Sequence, residues 1–144
     1  MSKQADAAAA HSAATEFWQA LARDDDEAAG RVIVRGSIEK IGGLGPGVAA
    51  RCRQATGKSR DECALMGVAT CVSRCADGSY LVRSVRRRRL GMDIYSEPQW
   101  VMASSQIVVP LEGRWQVWGA PDGRLGQQIV EEIDVPTESP YPPC

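Results

Sequence analysis

The chain has one histidine, one phenylalanine and five cysteines among 144 residues, and no Cys-x-x-Cys pair. The single histidine, His11, sits in an alanine-rich stretch far in sequence from any carboxylate cluster. It leaves no Ser-His-Asp or Cys-His arrangement to build, and it is expected on the solvated surface. Cys52, Cys63, Cys71, Cys75 and Cys144 lack the spacing of a structural zinc site, so no metal is expected. Their odd number points to reduced, partly buried thiols. On one extended strand Cys71 and Cys75 would lie about 13 Å apart, too far to pair. Cys52 with Cys63 stays open, a bridge that would clip a helix to the turn after it in an exported protein. No apolar run approaches the ~18 residues needed to span a bilayer. The opening Met-Ser-Lys-Gln, followed by alanines, lacks the basic start and Leu-rich stretch of a secretory signal. The expected setting is cytoplasmic, with no membrane partner.

What is present is the composition of one soluble domain, 44% hydrophobic and 24% charged. Residues 1–135 are expected to form it, with 136–144, rich in proline, as an extended tail. The net charge of −1 hides a segregation. Residues 51–89 carry 10 basic and 3 acidic side chains (+7), whereas residues 90–144 carry 2 and 8 (−6). Such a pattern neutralises itself within one molecule or across a dimer, or else attracts an external polyanion. Four successive arginines invite a nucleic-acid reading. The low sequence pI of about 5.8 and the scarcity of aromatics beside the run argue against it, and no nucleic-acid partner is expected.

The pattern of apolar residues changes period along the chain. Residues 5–23 place Ala10, Ala14, Phe17, Trp18 and Leu21 at helical spacing. Asp24-Asp25-Asp26-Glu27 ends that helix and caps a second one over Ala28 to Ile33, whose β-branched end turns towards strand. Residues 37–41 are expected to form a short strand. After the glycine-rich 42–47, a third helix should run over 48–55, and Ser59 with Glu62 forms a capping box for one more helical turn. Beyond residue 67 the period becomes two. Strands are expected over 68–76, 79–90, 99–110 and 114–120, joined by turns at Asp77-Gly78 and Leu111-Glu112-Gly113, and 126–135 fits a fifth strand or a short helix. The fold class is α+β, with N-terminal helices packed on a strongly curved antiparallel meander.

The residues Ala14-Thr-Glu-Phe-Trp-Gln-Ala-Leu21, the acidic turn Asp24-Asp25-Asp26, the following Glu-Ala-Ala and the closing Gly113-Arg-Trp-Gln-Val-Trp-Gly119 occur in a helix-helix-helix-meander order. In this the chain resembles the nuclear transport factor 2-like superfamily, the cystatin-like cone shared by ketosteroid isomerases, polyketide cyclases and limonene epoxide hydrolases. The resemblance implies a curved sheet wrapped on the helices, an apolar pocket at one end, and a homodimer formed through the outer sheet face. The isomerase pattern has a tyrosine on the first helix as oxyanion donor. The matching position here is Phe17, which has no hydroxyl. Its general base maps near Glu39.

Glu39 is accordingly one candidate catalytic carboxylate, against the competing reading of a solvated glutamate on an edge strand. Desolvation in an apolar pocket would raise such a group towards neutrality and suit it to acid or base work. Asp93 and Glu97, with Tyr95, stand in the loop before the third meander strand, where they would overhang a pocket mouth. Phe17, Trp18, Leu21, Tyr80, Trp100, Met102 and Trp118 are candidate pocket wall, or core if no cavity remains. Alternation divides residues 80–90 into one face with Tyr80, Val82, Ser84, Arg86 and Arg88 and another with Leu81, Arg83, Val85, Arg87 and Arg89. Arg86 and Arg88 are candidates for gripping an anionic ligand. The competing reading is that the arginines are solvated or matched by Glu131, Glu132 and Asp134. Two functions follow. One is a binder of hydrophobic small molecules, used as a cyclase, isomerase or epoxide-opening enzyme with no cofactor. The other is a non-catalytic dimerisation or protein-interaction module.

Overall fold

A computed structural model describes residues 3–88, 99–120 and 128–135, the side chains of 68–70 excepted. Four helices come first: α1 (Lys3–Arg23), α2 (Asp26–Val32), α3 (Val48–Thr56) and α4 (Arg60–Ala64). Five strands follow among the described residues: β1 (Met66–Cys75), β2 (Tyr80–Arg88), β3 (Gln99–Leu111), β4 (Arg114–Val117) and β5 (Ile129–Asp134). Among the described residues they form one curved, unclosed antiparallel sheet in the order β4-β3-β2-β1-β5. The last strand is thus a strand and not a helix, and it lies at the β1 edge, away from its chain neighbour β4.

α1 buries the stripe its spacing dictates. Phe17, Trp18 and Leu21 are at most 1% exposed and pack with Val72, Val82, Val108 and Val117 from the sheet. Each such side chain contributes about 1.5–3 kcal/mol by leaving water. The acidic turn then organises the helical layer. Asp25 caps α2 by accepting from the Ala28 N–H at 3.0 Å, and Arg53 closes the end of α1 on the Leu21 carbonyl (2.8 Å) and on Asp24 (2.6 Å). Asp26 accepts the Gly47 and Ala49 N–H groups at 2.7 and 3.0 Å, so a residue of α2 caps α3. These backbone donors, first Gly47 and then Ala49, hold its carboxyl below the ordinary range.

Three expectations need correction. Residues 37–41 lie in a 3-10 helix, Arg35–Ile41, and the short strand is instead a single parallel bridge, Ile33 to Val117, just after α2. Ser37 explains the difference. Its hydroxyl donates to the Val34 carbonyl (2.7 Å) and accepts from the Gly119 N–H (2.8 Å), a local bond that favours a turn over a ladder. His11 is half-buried, and desolvation lowers its pKa from the usual 6.5. Its Nε2 atom is buried with no hydrogen-bond partner. The alanines around it let neighbouring elements approach α1 closely, which removes water from the ring. Cys52, Cys63 and Cys75 are buried free thiols, so the Cys52–Cys63 bridge is not formed. Cys71 is disulfide-bonded, contrary to the all-reduced expectation.

Candidate functional site

The two faces of the sheet present two different constructions. On the face towards the helices, Trp18 lies against β2 and β3 with its indole N–H shared between Ser84 Oγ (2.9 Å) and Gln106 Oε1 (3.1 Å). Ser84 donates its own hydroxyl to Gln106 Oε1, and the Gln106 amide donates to Ser104 Oγ at 2.7 Å. Ser84 and Gln106 are 0% and 5% exposed, so this is a buried network whose donors and acceptors are matched. Phe17 meets Trp18 edge-on at 5.1 Å, and Leu21 is core.

Arg86 follows Ser84 on the same face. It makes an ion pair with Glu62 of α4. Glu62 serves twice: one carboxylate oxygen accepts the Ser59 N–H in the expected capping box, and the other meets Arg86. The Ser59 bond first, and Arg86 after it, keep the Glu62 carboxyl below its ordinary value. Of the C-terminal acids, Glu131 pairs with residues outside the arginine run. Glu131 joins Lys3 (3.1 Å) and Arg74 (3.2 Å) and is held below its ordinary range by them in that order, stapling the start of α1 to β1 and β5.

On the opposite face the rows across the sheet run Gly67–Val85–Met102 and Arg87–Trp100. Directly opposed residues share a face, and Val85 follows Ser84, so this set points away from the helices. A one-residue bulge in β3 produces it: Ser84 pairs with Ser104 but Val85 pairs with Met102, which leaves Ala103 as the extra residue. Without the bulge, Trp100 and Met102 would sit on the Gln106 face. With it, Trp100 reaches across the sheet to Gly67, where an added Cβ would come within 2.7 Å of the ring. The Arg87 guanidinium stands over the same ring, 5.4 Å from its centre. Met102 is 49% exposed, and Leu65, whose carbonyl accepts the Arg87 N–H at 3.2 Å, is 48% exposed.

The other sequence candidates are scattered. Glu39 is exposed on the 3-10 helix and lines a cleft of about 210 Å³ with Ser37, Ile41, Ala55 and Ala120. Arg88 is exposed at the end of β2, and Trp118 is half-buried just past β4. Tyr80 is buried edge-on to Trp115 at 5.2 Å, and burial pushes its hydroxyl pKa up. These two rings border an open cleft of about 460 Å³ with Lys3, Arg74 and Arg114. Asp93, Tyr95 and Glu97 lie outside the described residues. Among the described residues, no three His, Cys, Asp or Glu side chains gather to hold a metal ion, and no helix is long and apolar enough to cross a membrane.

Sequence reasoning missed the Glu62–Arg86 pair and the Trp100–Arg87–Gly67 stack. The capping box pointed to Glu62 but to only one of its two roles, and nothing in the strand pattern announces the bulge. No protein-family model matches the chain, and no curated protein or solved structure matches it.

Proposed function

We propose that the protein is a non-catalytic protein-interaction module built on a cone of the nuclear transport factor 2-like kind. One observation carries this reading. Trp18 fills the helix-facing side of the sheet, and the polar groups there, Ser84 and Gln106, are spent on its indole N–H and on each other. A ligand site keeps a few convergent polar groups for its guest. Arg86 likewise spends its charge on Glu62, and Glu39 stands in solvent. The segregated charges support self-association of the module as a homodimer. A bridged Cys71 suits an oxidising compartment better than the cytoplasm, where thiol pools keep cysteines reduced.

The test is a thermal-shift titration of the wild-type protein against a steroid, an aromatic polyketide and a terpene epoxide. No saturable rise in Tm is expected. A saturable rise that Glu39→Gln or Trp18→Phe abolishes would overturn the reading in favour of a small-molecule binder. Light scattering on a size-exclusion column is expected to give twice the chain mass, and a monomer at all accessible concentrations would remove the homodimer.

A further inference from the structure

We infer that the Trp100–Arg87 patch on the outer sheet face is a docking site for an acidic peptide segment of a partner protein, one with an apolar residue beside its carboxylates. The inference rests on the interaction-module reading and gives it a surface and a partner chemistry.

The patch has the composition that interfaces favour, with tryptophan, methionine and arginine together and leucine at its border. Two of these apolar side chains, Leu65 and Met102, leave almost half of their surface in water. Trp100 is held in place by Gly67 on one strand and Arg87 on the next, so little side-chain freedom is left to lose on binding. Among the described residues the charge on the patch has no acidic partner: no carboxylate pairs with Arg87 or with the exposed Arg88, whereas Arg53, Arg74 and Arg86 each have one. A guanidinium stacked on a ring keeps its N–H donors in the plane of the fork, and that edge is where a carboxylate binds with two parallel bonds.

The same geometry selects among anions. A nucleic-acid base would need the Trp100 ring for stacking, and Arg87 already stands over it. A lipid surface is attracted by clusters of several cations, and the whole chain carries a net charge of −1. A short acidic segment needs only one carboxylate at Arg87 and one apolar side chain against Met102 and Leu65.

The experiment is selection of a random peptide library displayed on phage against the immobilised full chain, followed by fluorescence titration of the enriched peptides in solution. Enriched sequences are expected to combine Asp or Glu with Leu, Phe or Met. Arg87→Glu and Met102→Ser are each expected to weaken their binding about tenfold or more, with circular dichroism unchanged. Arg31→Ala, an exposed cation on α2 away from the patch, should leave it unaltered. Enrichment without acidic residues, or equal binding by wild type and both patch variants, would overturn the inference. So would binding to vesicles of phosphatidylcholine and phosphatidylserine in equal parts when no peptide binds. So would a chain that runs as a dimer on the size-exclusion column and becomes a monomer in Arg87→Glu and Met102→Ser, which would give the patch to a second copy. None of these results depends on whether an apolar small molecule enters the interior, so this inference and the non-catalytic reading fail separately.

Discussion

Trp18 and Trp100 lie on opposite faces of one sheet and show how differently the fold treats the same side chain. Trp18 arrives from a helix onto strands that offer two hydrogen-bond acceptors, and it is 1% exposed. Trp100 starts on a strand and lies across its neighbours, with a glycine under its edge and an arginine over its ring. A buried tryptophan needs a partner for its N–H, and Ser84 and Gln106 supply one on the helix side. The outer side offers shape and charge instead, and its tryptophan stays partly exposed. The first arrangement fills the core, and the second leaves its ring at the surface.

The comparison breaks most clearly if Trp18 is dispensable. Trp18→Ala empties the centre of the core and leaves Ser84 and Gln106 without their shared donor. It is expected to cost about 3–5 kcal/mol in a urea titration. Loss of less than about 1 kcal/mol would show that the helix-side tryptophan is no more structural than the outer one. Gly67→Val comes next. A valine normally suits a strand, yet here its Cβ meets the Trp100 ring at 2.7 Å, and the clash is expected to cost about 1–3 kcal/mol. Displacement of Trp100 into solvent should also shift tryptophan emission to the red, and a stabilised variant with unchanged emission would place the ring elsewhere. Ser84→Ala should cost about 1 kcal/mol, because Gln106 Oε1 still accepts the indole N–H.

These residues also mark how far the sequence could be read. The helical stripe of α1, a cap for α2 within the acidic turn, the box at Ser59 and Glu62, and the four meander strands follow from spacing and turn chemistry, which act over a few residues, although the capping residue is Asp25 and not Asp24, three residues before Glu27. The side on which Trp100 and Met102 fall does not. Strict alternation from Gln106 back to Trp100 places both on the helix side, and the extra residue at Ala103 reverses them. A bulge is fixed by the pairing of whole strands, so its local sequence carries no sign of it. The partner of Arg86 was hidden for a related reason. Glu62 is 24 residues earlier, on a helix that only the packing of α4 near the start of β1 brings alongside. The arginine run read as two faces of a strand was divided correctly, with Arg86 towards the helices and Arg87 away, but which of them stays free is a tertiary fact.

The smallest effect expected is a pH dependence, and it separates the inside of the fold from its surface. His11 is half-buried with no partner for Nε2, and burial lowers its pKa. The unfolded chain therefore takes up a proton near pH 6.5 while the native state still resists it, so stability falls as the pH drops from 6.5 towards the lower native value. Glu131, held down by Lys3 and Arg74, acts further along the same direction. Its contribution is complete above the ordinary carboxylate value of 4.5 and is lost as acid protonates it. Two losses on acidification are expected, the first belonging to the interior of α1 and the second to the staple at its start. His11→Leu removes the unpartnered nitrogen and keeps a good helix former, so urea midpoints at pH 7.5 should be unchanged or higher. Between pH 6.5 and pH 5 the variant should lose less stability than the wild type, while the loss below pH 4.5 should persist. If the two proteins decline in parallel over the upper interval, His11 is as well solvated as its alanine-rich sequence first implied.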